Sequence, residues 1–169
     1  ITKLKYDQKI YYDSIQLSKS GNLIESLKKI NFLISKNKND YFIEETKADI
    51  LLSYGYNKEA IKFYRKVLQS QPKNNYAKYN IFINSTINST DYEFNKKFFL
   101  NNLNLLKYFP NNQNILLKYY DLAKILEYND WILFFKTLFF NDKNTKKILN
   151  QLNNQTKDYN LNKIIKLYN

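Results

Sequence analysis

Two segments of the chain carry the same pattern. Residues 21–36, GNLIESLKKINFLISK, align with residues 55–70, GYNKEAIKFYRKVLQS, when one segment is shifted along the other. The shift places Gly21 on Gly55 and Ser26 on Ala60, and upstream it places Ser14 on Ala48. Self-similarity at a fixed period of about 34 residues is typical of arrays built from one small helical unit. The repeat therefore limits the fold more than any other feature of the chain.

The residues of the second copy indicate how one unit folds. Gly55 permits a tight turn between two helices, Ala48 and Ala60 let those helices approach closely, and Pro72 cannot continue the second helix. Apolar residues at helical spacing predict the buried seam, namely Leu51, Ile61, Tyr64, Val67 and Leu68. This pattern is the tetratricopeptide signature. We predict an all-α fold, an α-α superhelix of about four tetratricopeptide-like helical hairpins followed by C-terminal capping helices.

The later repeats are less regular. One period after Pro72 falls at Leu106, but the matching proline is Pro110, so we expect four extra residues in the turn-rich segment 84–94. In the fourth repeat we expect Ala123 at the small position and residues 128–130 as the turn. The predicted single domain, 1–169, contains repeats at about 7–40, 41–74, 75–112 and 113–144, and a cap at 145–169 that covers the last apolar face. The predicted helices cover residues 4–20, 23–36, 41–54, 57–70, 75–87, 92–108, 112–128, 130–140, 143–153 and 157–168.

Composition argues against catalysis. The 169 residues include no His and no Cys. The usual zinc ligands, the commonest general base and any thiol chemistry are therefore missing. We expect a protein that is not an enzyme and that has no cofactor and no metal. No apolar run reaches the roughly 18 residues of a membrane span, and without an initiating Met we expect a mature form or a piece of a longer protein.

The net charge of +12 has two explanations. An AT-rich coding sequence produces the same excess of Lys, Asn, Ile, Tyr and Phe, so codon bias is one of them. Binding to nucleic acid or to an anionic membrane is the other. Only Arg65 is an arginine, although arginine is the favoured group for bidentate recognition of bases and phosphates. A basic helical repeat that binds nucleic acid is thus the alternative function.

One segment resembles a known family. Residues 23–74, LIESLKKINFLISKNKNDYFIEETKADILLSYGYNKEAIKFYRKVLQSQPKN, resemble the C-terminal tetratricopeptide domain of Ste24-like zinc metalloproteases of the BepA type, especially those of alphaproteobacteria. The junction 39–42 has Asp40 where the family has Pro, and it leads through Glu45, Ala48, Leu51 and Gly55 into 59–61, Glu-Ala-Ile. The likeness covers about residues 11–112, and the longer loop of the third repeat agrees with it.

The resemblance implies a function for the chain. It implies the non-catalytic repeat domain that binds clients or complexes in a periplasmic metalloprotease concerned with outer-membrane protein quality control. The family's His-Glu-x-x-His is absent from a chain without His, so the peptidase domain would lie outside these residues. The expected partner is a protein or peptide, or a peptidase domain of the same polypeptide. The expected location is the periplasm, or otherwise the cytoplasm.

Candidate partner contacts follow from the register. In arrays of this type the first helix of each hairpin lines a groove, and side chains that do not face the paired helix are available there. They are Tyr11, Ile15, Phe42, Glu45, Asp49, Leu52, Tyr76, Tyr79, Asn80, Ile83, Leu117, Asp121 and Lys124. Such side chains suit an apolar peptide or a partner helix, whereas the alternative is packing between neighbouring repeats. Of the positions that form a carboxylate clamp in some tetratricopeptide domains, only Asn80 holds a suitable residue, so we expect no clamp.

Two further clusters each have two interpretations. Asp40, Glu44, Glu45 and Asp49 could serve acid/base chemistry or a metal, but we favour an N-cap at Asp40 and first-turn carboxylates stabilised by the helix dipole. The aromatic segment 131–140 contains Trp131, Phe134, Phe135, Leu138, Phe139 and Phe140. It is either a helix buried on most sides or a docking face for another domain, led by Trp131, Phe134 and Phe135. Three glycosylation sequons, at residues 84, 88 and 154, are expected by chance in so Asn-rich a chain.

Overall fold

The computed structural model describes residues 2–37, 40–87, 89–140 and 143–168, and for residues 2–6 only the backbone. This part of the chain contains eleven α-helices and no strand, which confirms the all-α class. The helices are α1 Thr2–Lys19, α2 Leu23–Lys36, α3 Tyr41–Ser53, α4 Asn57–Ser70, α5 Asn75–Asn84, α6 Tyr92–Asn101, α7 Asn104–Tyr108, α8 Gln113–Ile125, α9 Asn129–Phe140, α10 Thr145–Gln155 and α11 Tyr159–Tyr168.

The chain forms two compact units, residues 1–85 and residues 86–169. In the N-terminal unit each helix from α1 to α5 packs against the next one along the chain. In the C-terminal unit α8 and α9 form a hairpin, α6 and α7 pack against α8, and α10 and α11 pack against α9. Within the units, α1 with α2, α3 with α4 and α8 with α9 therefore pair as helical hairpins, as the repeat predicts.

The small positions of the repeat lie where the paired helices touch. Ser14, Ser26, Ala48 and Ala60 are all fully buried. The two serines satisfy their hydroxyl groups locally, because Ser26 Oγ donates to the carbonyl oxygen of Ser14 and Ser14 Oγ donates to the carbonyl oxygen of Tyr11, both at 2.7 Å. A residue larger than serine at any of these positions would separate the backbones that meet there.

The hairpin turns share one backbone geometry. Gly21 and Gly55 have positive φ angles of 88° and 80°. At each turn the N–H of the following residue donates across the helix end, from Asn22 to the Leu17 carbonyl and from Tyr56 to the Leu51 carbonyl. This is the Schellman motif, which needs a residue in the left-handed region just after the helix.

The turn of the fourth repeat has the same geometry without a glycine. Glu127 has φ 56°, and the N–H of Tyr128 donates to the Ala123 carbonyl at 2.9 Å. Glu127 is the equivalent of Gly55 two repeats later, once the four extra positions of the third repeat are counted. The turn predicted at residues 128–130 is thus centred two positions too late, because α9 already begins at Asn129.

The loop of the third repeat is longer, as predicted. Residues 85–91 connect α5 to α6, whereas residues 54–56 connect α3 to α4. Seven connecting residues instead of three place the four extra residues inside the expected segment. Asn88, which belongs to this loop and to one predicted sequon, lies outside the described residues.

The helix predicted at 92–108 is broken, so that part of the prediction is wrong. α6 ends at Asn101 and α7 begins at Asn104. Asn102 lies at the break, where its Nδ2 donates to the Phe98 carbonyl at 2.7 Å. The backbone then changes to a tighter pattern, as the N–H of Leu105 donates to the Asn102 carbonyl at 2.8 Å.

Aromatic rings fill the core of the C-terminal unit. Phe99 contacts Tyr119 and Trp131 edge to face, with ring centroids 5.1 and 5.0 Å apart. Trp131 Nε1 donates to Asp158 Oδ2 at 2.7 Å. This bond ties the start of α9 to the residue that precedes α11.

Among the helices of the described residues, none combines the length and the apolar character that crossing a membrane requires.

Candidate functional site

Five of the predicted contacts lie together in the N-terminal unit. Tyr11 is on α1, Phe42, Glu45 and Asp49 are on α3, and Tyr76 is on α5. We call these five residues the repeat face, because α1, α3 and α5 are the first helices of successive repeats. Phe42 and Tyr76 occupy equivalent positions of successive repeats and are 54% and 47% exposed. The repeat face therefore presents aromatic surface to solvent.

Tyr11 connects α1 to α3. Its hydroxyl oxygen lies 2.9 Å from Thr46 Oγ1, in hydrogen-bonding contact. Its ring stacks on the ring of Phe42, with centroids 5.4 Å apart. Further along, the hydroxyl of Tyr54 donates to the carbonyl oxygen of Ser18. These contacts hold the two helices at a fixed spacing.

Two cavities open on either side of Tyr11. The first has a volume of about 360 Å³ and is lined by Asp7, Gln8, Tyr11, Tyr12, Leu33, Asn37, Asp40, Phe42 and Ile43. The second has a volume of about 280 Å³ and is lined by Tyr11, Ile15, Ser18, Lys19, Thr46, Asp49, Ile50 and Ser53. The structure thus brings the predicted contacts Tyr11, Ile15 and Asp49 to one cavity and Tyr11 and Phe42 to the other.

The two carboxylates of the repeat face are held by neutral donors. Glu45 Oε2 accepts a hydrogen bond from Asn74 Nδ2 at 2.6 Å. Asp49 Oδ1 accepts from the hydroxyl groups of Tyr64 and Tyr76, at 2.5 and 3.0 Å. Asn74 and Tyr76 belong to the start of α5, so the carboxylates of α3 also orient the third helix of the face.

Burial changes the pKa values of the acidic groups at this site. Burial raises the pKa of the Asp49 carboxyl, and the hydrogen bonds from Tyr64 and Tyr76 oppose that rise. Burial also raises the pKa of Glu45, to which the nearby negative charge of Asp49 adds. Burial and the charge of Asp49 raise the pKa of the Tyr76 hydroxyl. Removal from water therefore destabilises two negative charges that share one helix face.

The remaining predicted contacts differ in exposure. Asn80 is only 5% exposed, and its side-chain amide donates to the Tyr76 carbonyl. It is therefore a helix-packing residue rather than an exposed contact. Leu52, Tyr79 and Ile83 are half-buried in the N-terminal unit, and Leu117, Asp121 and Lys124 are exposed on α8 of the C-terminal unit. The ammonium of Lys124 lies 5.4 Å from the centre of the Tyr120 ring.

The docking face assigned to α9 needs a correction. Trp131 is 2% exposed, and Phe134 and Phe135 are fully buried. These three side chains pack with one another and with rings of the same unit, so they offer no area to a partner. The buried interpretation is the one that describes them. Exposed apolar area on α9 belongs instead to Leu133, Phe139 and Phe140, of which Phe140 is 79% exposed.

The acidic cluster divides into two roles. Asp40 caps α3, because its Oδ1 accepts from the N–H of Phe42 at 3.0 Å, and the predicted N-cap is thus confirmed. Glu44 lies in the first turn of α3. Glu45 and Asp49 belong to the repeat face and its hydrogen bonds. Asn39, part of the junction in the family resemblance, lies outside the described residues.

The sequence did not reveal several residues of the site. The sequence pattern predicts Tyr64 in the buried seam, and its ring is fully buried, but its hydroxyl still reaches Asp49. Asn74 is absent from the predicted contacts, yet it caps α5 and donates to Glu45. The repeat period could have identified one further residue of the site. Gln8 lies one period before Phe42, and it lines the first cavity.

The arrangement combines exposed rings, two small cavities and hydrogen-bonding groups on rigid helices. These features are common to peptide-binding surfaces. Comparisons of this chain with protein-family models, with curated proteins and with solved structures found no match.

Proposed function

We propose that the protein is a non-catalytic protein-interaction scaffold whose repeat face binds a segment of a partner protein. One observation carries the proposal. Tyr11, Phe42, Glu45, Asp49 and Tyr76 come from three successive first helices, and Tyr11, Phe42 and Asp49 line two neighbouring cavities. Rings on a rigid helical platform supply contact area with little loss of side-chain freedom.

The contacts behind this face support a preformed surface. Phe42 and Tyr76 are among the more exposed large apolar side chains, yet each is anchored, Phe42 by stacking on Tyr11 and Tyr76 by its bond to Asp49. Exposed aromatic side chains that are already oriented can contribute to binding without a large ordering cost. Central aromatic residues are also the usual hot spots of interfaces.

A display experiment tests the proposal. A random dodecapeptide library on phage is selected on the immobilised full chain, and one enriched peptide is synthesised with a fluorescent label. We expect the double variant Phe42→Ala/Tyr76→Ala to weaken its binding at least tenfold in fluorescence anisotropy. The matched control is Phe32→Ala/Tyr56→Ala, which removes two exposed rings from elsewhere in the same unit. Equal binding by wild type and the repeat-face variant would contradict the proposal.

A finer assignment follows from the family resemblance. We propose that the chain is the client- or complex-binding repeat domain of a periplasmic, Ste24-like metalloprotease of the BepA type. The likeness of residues 11–112, including the lengthened loop of the third repeat, supports this assignment. The test is the sequence encoded upstream of Ile1 in the same reading frame. A His-Glu-x-x-His segment there is the expected result, and an upstream sequence without one would contradict the assignment.

One observation favours a second candidate, binding to nucleic acid. Lys58, Lys62, Arg65 and Lys66 are all exposed on α4 and recur at helical spacing, which gives that helix a basic stripe. If the stripe contacts phosphates, affinity for a DNA duplex should fall steeply with salt, and the slope should decrease in Lys62→Gln/Arg65→Gln/Lys66→Gln. Absence of binding at low salt would exclude this candidate.

A further inference from the structure

We propose that the repeat face recognises a basic segment, with a Lys or Arg side chain of the partner seated between Glu45 and Asp49. The inference rests on the proposed function, because it names the chemistry of the segment that the repeat face would bind. Its occupant is a peptide segment that carries cationic side chains among apolar ones.

The repeat register shows how the acids are placed. Positions equivalent to Glu45 hold Tyr11 on α1 and Tyr79 on α5, and positions equivalent to Asp49 hold Ile15 on α1 and Ile83 on α5. At both positions, the central helix α3 therefore has an acidic residue, and α1 and α5 have an aromatic or aliphatic residue. A carboxylate pair on the central helix with aromatic and aliphatic side chains on its neighbours matches a long side chain that has an apolar stem and a positive end.

The two carboxylates share one face of α3. Glu45 and Asp49 are one helical turn apart on α3, so their side chains lie on one face of that helix. Each accepts hydrogen bonds from neutral groups, Asn74 in one case and the two tyrosines in the other. Among the residues that the structure describes, neither carboxylate forms an ion pair. A partner cation would supply the charge compensation that partly desolvated carboxylates otherwise lack.

The second cavity provides room for such a side chain next to Asp49, whereas Glu45 does not line it. Asp49 lines the cavity together with Tyr11, Ile15 and Ile50, and its volume is about 280 Å³. Lys19 also lines this cavity, so the cavity is not purely acidic. The stacked rings of Tyr11 and Phe42 lie beside it and add the faces on which a cation or a guanidinium group packs favourably.

The net charge of the protein makes this preference unusual. With +12 overall, the chain as a whole repels cationic peptides and attracts acidic ones. Preference for a basic peptide can therefore arise only from a local site that overcomes the average field. Selection of basic peptides by a protein with this net charge is therefore a specific test of the inference.

The library selected on the full chain also tests the inference. We expect Lys and Arg to be enriched among the selected dodecapeptides at physiological salt. A labelled basic peptide should bind at least tenfold more weakly to Glu45→Gln/Asp49→Asn, which keeps hydrogen-bonding oxygens but removes both charges. The matched control is Glu25→Gln/Glu59→Gln, which removes two charges at repeat-equivalent positions on α2 and α4 and should change the affinity less than twofold.

The outcomes separate this inference from the proposed function. Selected peptides without excess Lys and Arg, or basic peptides that bind Glu45→Gln/Asp49→Asn as well as wild type, would overturn the inference. If Phe42→Ala/Tyr76→Ala still abolishes binding in that case, the proposed function stands. Binding that is insensitive to both variants would overturn both. Because the charge variant retains its hydrogen bonds, its circular dichroism spectrum and thermal midpoint should match or exceed those of wild type, which excludes misfolding as the cause.

Discussion

Replacement of Glu127 by glycine should stabilise the C-terminal unit. Glu127 occupies the left-handed position of the Schellman turn between α8 and α9, with φ 56°. A residue with a Cβ loses about 1–2 kcal/mol of stability in that conformation. Glycine adopts the conformation freely, but it makes the unfolded chain more flexible, which costs about 0.4–1 kcal/mol of stability. The net gain for Glu127→Gly is therefore about 0.5–1 kcal/mol.

The protein offers a local probe for this measurement. Trp131, the single tryptophan, lies in the core of the C-terminal unit. Its fluorescence during urea denaturation reports the unfolding of that unit directly. Glu127→Ala is the matched control, since it removes the negative charge from the C-terminal end of α8 but keeps the left-handed strain. Glu127→Asn should lie between the two because asparagine tolerates this conformation.

The opposite change at an equivalent turn completes the test. Gly55 has φ 80° and open space around the position of a Cβ, so Gly55→Ala meets backbone strain without a clash. It should destabilise the N-terminal unit by about 0.5–1 kcal/mol, measured by far-ultraviolet circular dichroism. If Glu127→Gly is no more stable than Glu127→Ala, the turn is not strained and the reasoning fails.

Three other substitutions test the packing and the electrostatics. Ala60→Leu should destabilise the protein by about 1–3 kcal/mol in urea denaturation, because Ala60 is fully buried between helices, whereas Lys62→Leu at an exposed position should have little effect. Asp158→Ala removes both the partner of Trp131 Nε1 and the cap of α11, and should cost about 2–4 kcal/mol by tryptophan fluorescence, with a smaller loss for Asp158→Asn. Burial lowers the pKa of Lys118 to about 8. Because Lys118 binds more protons in the unfolded chain between pH 8 and about 10.4, the contribution of this residue to wild-type stability should rise across that interval. Lys118→Met should stabilise the protein at pH 7 by about 1 kcal/mol, reduced for solvent screening of this half-buried group, and the difference should vanish near pH 10.5; a constant difference would contradict the assignment.

The hairpins of the N-terminal unit could be predicted because their signals are local. Gly21 and Gly55 mark turns, Asp40 marks a helix start, and the repeat period aligns the buried faces. All of these depend on the conformation of a few neighbouring residues. The structure departs from the prediction at two places. Glu127 adopts the left-handed turn conformation without a turn signal in the sequence, and Asn102 lies at a break that the predicted helix 92–108 does not contain.

The site itself could be predicted only in part. The register places Tyr11, Phe42, Glu45, Asp49 and Tyr76 on first helices, and the structure gathers them. The bonds from Tyr64 and Asn74 join residues 15 and 29 positions apart, and no sequence period contains that information. The burial of Trp131 likewise depends on partners far along the chain, such as Asp158. Local pattern therefore identified the surface, while tertiary packing determined its chemistry.

The position of a bound peptide tests the central claim most directly. Backbone amide chemical shifts of the ¹⁵N-labelled full chain are recorded while a library-selected dodecapeptide is added. Binding at the repeat face predicts that the largest changes cluster at and around Tyr11, Phe42, Glu45, Asp49 and Tyr76 on α1, α3 and α5. Changes concentrated on α2 and α4, or confined to residues 86–169, would contradict it.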